Sequence, residues 1–206
     1  IWNRGTLITV DSEVRGNAGE SGGGIYNAGT LSMTNTNVLS NTATGSQYAF
    51  GGGLELWGET TITGGTIGWN SSGGGYSDSG GGIYAGGYGN FALTLDGVTV
   101  RDNSAHQAEG GGLFIYPCQF CGRDNSQASI SNYIIKNSTF SGNTAVNGGG
   151  IYIVGASLDM VNSSFTNNSA TGNGGGLYTD SVVTTLTNSI LWNNSAATSG
   201  NEVYLA

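Results

Sequence analysis

The chain holds one proline, one histidine and five lysines and arginines in total. Five scattered cations cannot neutralise a run of phosphates, and the thirteen acidic residues set the net charge at −8, which argues against a nucleic-acid partner. A single histidine, His106, with no serine and acid at matching spacing leaves triad chemistry without support. Charged residues make up 9% of the chain, too few for a charge-solvated disordered polymer. No apolar run reaches the ~18 residues of a membrane-spanning helix, and no charged n-region precedes an apolar h-region. The sequence opens on "IWNRGTL", already inside its repeat, so the expectation is that upstream sequence was processed away or lies outside this segment.

Glycine, at 39 residues, dominates what is present, with Asn, Ser and Thr filling much of the rest. Many turn formers and few helix formers argue against helix. One phrase recurs: "GGGIYNAG" from Gly22, "GGGLELWG" from Gly51, "GGGIYAGG" from Gly80, "GGGLFIYP" from Gly110, "GGGIYIVG" from Gly148 and "GGGLYTDS" from Gly174. An asparagine precedes each new glycine run: Asn17, Asn41, Asn70, Asn103, Asn143, Asn168 and Asn194. Three residues before each lies Val14, Val38, Ile67, Val100, Phe140, Phe165 or Leu191. Six before lies a turn former, and eight before lies Thr9, Met33, Ile62, Leu95, Ile135, Met160 or Leu186.

Seven units in register at four positions read as three short strands each, with no helical segment. Units this short bury an apolar face only by stacking strand on strand in parallel, which predicts an all-β solenoid, a parallel β-helix of seven to eight coils. The aliphatic residues of the glycine motif (Ile25, Leu54, Ile83, Leu113, Ile151, Leu177, Val203) are spaced 29, 29, 30, 38, 26 and 26 apart. The differences fall at corners, the longest in a loop inserted around 116–130 of a single domain spanning 1–206. Asn is expected at sharp left-handed corners and, one coil apart, in hydrogen-bonded ladders.

"FSGN" (Phe140 to Asn143) and "FTNN" (Phe165 to Asn168), paired with Gly-Gly-Gly-Ile/Leu, resemble the Phe-x-x-Asn and Gly-Gly-Ala-Ile/Leu/Val repeats of polymorphic outer membrane proteins. The resemblance implies a right-handed coil and an extracellular or cell-surface location with adhesion as the role. In this chain Gly replaces the Ala, and most units carry Val, Ile or Leu in place of Phe.

If Ile25 and its equivalents point inward, the next residue points outward. Those residues are Trp2, Tyr26, Glu55, Tyr84, Phe114, Tyr152, Tyr178 and Tyr204, a stripe interrupted once by Glu55. The readings stay open: a surface for sugars or a protein partner, a self-stacking ladder that stabilises the sheet, or a stripe covered by the long loops. Asn70, Asn137, Asn162, Asn167 and Asn193 stand in Asn-x-Ser/Thr, the acceptor pattern for glycosylation. Cys118 and Cys121, in "PCQFCG", are expected to form a small disulfide pinning the inserted loop, since a zinc site lacks ligands beyond His106.

The acids are scattered. Glu55 and Glu59 share the second unit and are the candidates for a carboxylate pair, while Asp78, Glu109 and Asp124 lie in loops and Asp96 and Asp102 flank the third strand. No cofactor is expected; a calcium turn at "GGYGN" from Gly86 has Asn90 where the ligand Asp belongs and occurs once. A flat threonine face for binding ice is not supported, because Thr-x-Thr does not recur at one offset. Neither end shows polar capping residues by pattern. The expectation is therefore either a slice of a longer surface protein or end-to-end self-association into a filament. The leading function is a non-enzymatic extracellular structural or adhesive protein, with glycans or a neighbouring cell surface as partners. The alternative is a carbohydrate-active β-helix enzyme or glycan-binding module.

Overall fold

The computed structural model describes residues 1–75, 77–86, 91–116, 132–180 and 183–206, the side chains of Ser77 and Asn132 excepted. Cys118, Cys121, Asp124 and most of the "GGYGN" segment lie outside the described residues, as does most of the 116–130 insertion. The chain is a right-handed parallel β-helix. Every pairing between described strands is parallel and joins one coil to the next, as in Leu54–Leu56 between Ile25–Asn27 and Ile83–Ala85. At about 4.8 Å per coil the eight-stranded first sheet spans roughly 35 Å.

Each coil contributes four strands, one more than the sequence pattern suggests. The first sheet holds the glycine-motif strands, the second the Thr30–Thr34 class, the third the Asn37–Leu39 class and the fourth the two-residue Thr42–Ala43 class. The register is the one read from sequence: Ile62 pairs with Met33 and Leu95, and Val100 with Ile67 and Phe140. Alternating residues of the first three sheets therefore fall into columns that fill the coil interior, from Ile25 and Met33 to Phe165 and Leu177, all 0–1% exposed. Phe140 and Phe165 stack inside at 4.9 Å between ring centroids.

Left-handed corners separate the strands. The turn formers six residues before each asparagine all have positive φ, from Asp11 at 46° to Gly97 at 66°. The second corner is displaced from the expected site: it is the residue before the asparagine, among them Ser40, Trp69, Asp102 and Asn167, and not the asparagine itself. Positive φ is costly for a bulky residue such as Trp69. Its ring carries the Arg101 guanidinium at 3.7 Å from the centroid, and Arg101 pairs with Asp102 at 3.2 Å, so the corner is covered by a cation on an aromatic face.

The asparagines are reserved for another task. Asn17, Asn41, Asn70, Asn103, Asn143, Asn168 and Asn194 form one ladder through the rod. Each Nδ2 from Asn17 to Asn168 donates to the next Oδ1 at 2.9–3.1 Å. The same Oδ1 also accepts the preceding asparagine's backbone N–H, as from Asn103 to Asn143 at 3.1 Å. The second amide hydrogen returns to a carbonyl of the coil before, as from Asn103 to Ile67 at 2.9 Å. Five consecutive members, Asn41 to Asn168, are at most 1% exposed, so every buried polar atom must be matched, and the ladder matches them.

The glycine triplet follows from the same crowding. A Cβ on Gly111 would sit 2.5 Å from the carbonyl oxygens of both Gly149 and Thr144, and one on Gly112 would sit 2.6 Å from Gly150 O. Coils approach here backbone to backbone, a contact only glycine permits.

Candidate functional site

The eight residues following the inward aliphatic positions lie in one row of the first sheet, Trp2 against Tyr26, Tyr26 against Glu55, and on through Tyr178 against Tyr204. Their rings are turned on one another. Trp2 stacks on Tyr26 at 4.2 Å, Phe114 on Tyr152 at 5.4 Å and 5°, Tyr152 on Tyr178 at 4.4 Å, and Tyr178 on Tyr204 at 5.1 Å. Of the readings of the stripe, the geometry is that of the self-stacking ladder. Ring faces are used within the row.

The insertions after the fourth strand roof the middle of this row. Tyr48–Phe50 and Ser77–Ser79 pair in a small fifth sheet, extended by a single bridge from Ser79 to Glu109. Asp78 holds the glycine turn beneath it, accepting from the N–H groups of Gly74 and Gly75 at 3.0 Å each. Phe50 from the roof lies on Tyr84 at 4.4 Å and 19°, and Tyr84 lies on Phe114 at 5.4 Å. Phe50 thus supplies a ring to Tyr84 on the coil next to Glu55. Tyr84 is 5% exposed and Phe114 9%, against 64% for Trp2, so the row is covered at its centre and open at its first coil.

Glu55 is 3% exposed under the same roof. Ser21 Oγ donates to its Oε2 at 2.5 Å and Trp57 Nε1 to its Oε1 at 2.7 Å. Burial pushes its carboxyl above the ordinary value, and the two hydrogen bonds work against that shift. Both partners are neutral. Glu59 sits beyond the Trp57–Gly58 turn and is exposed, so the two glutamates expected as a pair occupy different environments.

Further along the row, burial raises the Tyr152 hydroxyl well above the usual tyrosine range, with Tyr178, Glu109 and Asp180 adding repulsion. Tyr178 moves the same way, from burial first and then Asp180 and Tyr204. Glu109 is itself raised by burial, partly offset by its hydrogen bond from Asn147. The Tyr152 and Tyr178 hydroxyls are hydrogen-bonded to one another and keep their protons beside Glu109 and Asp180. Asp96 faces outward, lowered chiefly by the Asn137 amide and also by Lys136, whose Nζ lies 3.2 Å away. Among the described residues no group of three or more His, Cys, Asp or Glu comes together to hold a metal, and no helix is long and apolar enough to cross a membrane.

The glycosylation candidates divide. Asn70 is 1% exposed, with Nδ2 donating to both Val38 O and Asn103 Oδ1, so its amide is closed to a glycan in the folded chain. Asn137, Asn162, Asn167 and Asn193 are exposed at left-handed corners. Sequence reasoning missed Ser21, Phe50 and Trp57 as the surroundings of Glu55, because they come from non-repeating segments. It also passed over Asn201 and Glu202, whose signal was a glycine motif written without its second and third glycines.

The family model for the Chlamydia polymorphic membrane protein repeat matches residues 137–154 and 162–180. These two segments hold "FSGN" and "FTNN" with the whole of the next glycine-motif strand, Ile151–Val154 or Leu177–Asp180, under a fifth of the chain. The matched units and the unmatched ones share one register in the sheets. No match is found among curated proteins or among solved structures.

Proposed function

We propose that this chain is a surface-exposed, non-enzymatic β-helical rod with a structural or adhesive role, contacting its partners through its lateral faces. The carrying observation is that the chemistry-bearing side chains are consumed in holding the rod together. The ladder amides bond to each other, the aromatic faces stack on each other, and the buried carboxylate of Glu55 is satisfied by Ser21 and Trp57. The repeat shared with polymorphic membrane proteins supports the surface location. A glycan or a neighbouring cell's surface protein would meet ring edges and the hydroxyls of Tyr152, Tyr178 and Tyr204, with Glu109 and Asp180 beside them, and would be held by hydrogen bonds more than by stacking.

The test is binding of the purified chain to glycan arrays and to whole cells, with turnover assays on acidic and neutral polysaccharides alongside. Binding without turnover, reduced by Tyr152→Phe or Tyr178→Phe, is the expected result. The raised carboxyl of Glu55 favours one second reading, a carbohydrate-active enzyme with Glu55 as acid. Turnover abolished by Glu55→Gln would establish that reading and end the first. Assembly into a head-to-tail filament is a version of the structural role that depends on the end faces of the rod, considered next.

A further inference from the structure

The last rung of the first sheet keeps the backbone path of the rungs before it. Gly175, Gly176 and Leu177 donate to the carbonyls of Gly200, Asn201 and Glu202, as Gly149, Gly150 and Ile151 donate to Gly174, Gly175 and Gly176. Gly200 keeps the left-handed corner at φ 69°. The two residues that follow differ. In six earlier coils the second and third positions of the triplet are glycine, and a Cβ there would lie 2.4–2.7 Å from a carbonyl oxygen of the next coil. Here they are Asn201 and Glu202, whose Cβ atoms occupy the space that a further coil's backbone would need.

Their side chains also take over that coil's hydrogen bonds. In each earlier coil the ladder asparagine donates from Nδ2 to the next asparagine's Oδ1; Asn194 donates instead to Glu202 Oε2 at 2.5 Å. In the fourth sheet Ser195 and Ala197 bond back to Asn168 and Ala170, so the N–H of Ala196 faces forward, and Asn201 Oδ1 accepts it at 2.9 Å. One side chain ends the ladder and the other ends the neighbouring strand.

We propose that Asn201 and Glu202 form a side-chain cap that closes this rung to coil addition, so that the rod does not lengthen end to end across this face. The pair replaces two glycines sterically and replaces the next coil's carbonyl groups chemically. On this proposal the face is finished with polar groups, in place of the uncapped face and the head-to-tail filament expected from sequence. This closure stands apart from whatever the lateral faces bind.

Restoring the triplet tests it. Asn201→Gly with Glu202→Gly is expected to associate at concentrations at least tenfold below any at which the parent chain does, read by sedimentation velocity, and to show elongated rods by electron microscopy. Amide exchange supplies an independent readout that needs only single variants. Asn201→Ala should speed exchange at Ala196 about fivefold, the loss of one hydrogen bond of about 1 kcal/mol. Glu202→Ala should loosen the Asn194 side-chain amide, while Glu202→Gln, which keeps an acceptor oxygen, should not. End-to-end rods formed by the parent chain, a folded double variant that associates no more readily than the parent, or unchanged exchange in the single variants would each overturn the proposal.

Discussion

Two ladders run the length of this rod with one residue per coil, and they obey different rules. The asparagine ladder has seven members and no substitution. The aromatic row accepts Trp, Tyr, Phe and once Glu, and beside Glu55 Phe50 arrives from a loop to stack on Tyr84. The reason is burial of polar atoms. An amide at the centre of the coil has two donors and an acceptor that no other residue type presents in the same geometry, and each unmatched atom there costs about 1–3 kcal/mol. An aromatic ring on the outer side of a strand needs only area and a neighbour, contributing about 0.5–1.5 kcal/mol per stacked pair beyond its burial. Specification is strict inside and permissive outside.

The sharpest way to break this contrast is at the middle of the inner ladder. Asn103→Ala strands the N–H and Nδ2 of Asn70, the carbonyl of Ile67 and one bond to Asn143, and is expected to lower the unfolding free energy by about 3–5 kcal/mol in a denaturant titration. Tyr84→Ala tests the outer row where it is most buried, between Phe50 and Phe114, and should cost about 2–4 kcal/mol by the same measurement. Tyr178→Leu, in the half-buried part of the row, should cost about 1 kcal/mol or less. A loss at Tyr178 equal to that at Asn103 would erase the distinction between the two ladders.

Glu55 gives the smallest expected effect and the most specific one. Its folded value lies above the ordinary 4.5, so the folded state holds the proton more tightly than the unfolded chain does. That contribution is fully present below pH 4.5 and is lost as pH rises through the raised value. Glu55→Gln should remove this fall, so that the variant gains stability relative to the parent chain as pH rises through the raised value, while the fall from Glu109, which is raised in the same sense, stays. An unchanged curve would mean that Glu55 titrates as a solvated acid.

Much of the fold was legible because the repeat writes the same residue wherever the same physical need recurs. The asparagine offsets gave the register of the second and third sheets directly, and the glycine triplets gave that of the first. The fourth sheet was not legible, since a strand of two residues such as Thr42–Ala43 carries no period. The left-handed corner was assigned one residue late because the corner itself is occupied by types as different as Ser40, Trp69 and Gly142, while the conspicuous asparagine beside it serves the ladder. The surroundings of Glu55 were not legible: Ser21 and Trp57 bond to it and Phe50 stacks on the neighbouring Tyr84 from separate segments, and periodicity says nothing about contacts that occur once.

The asparagine ladder has one more property. From Asn41 to Asn194 every amide oxygen accepts from the coil before it, so all six carbonyls point toward the first coil. Backbone amides along a parallel strand alternate in direction and largely cancel; these side-chain amides do not. Their dipoles add along the axis, with the positive pole at Asn194, much as peptide dipoles add along a helix. Glu202, an anion, sits on that pole. The ladder is electrically polar, with a direction of its own, and the Glu202 carboxylate lies against its positive pole.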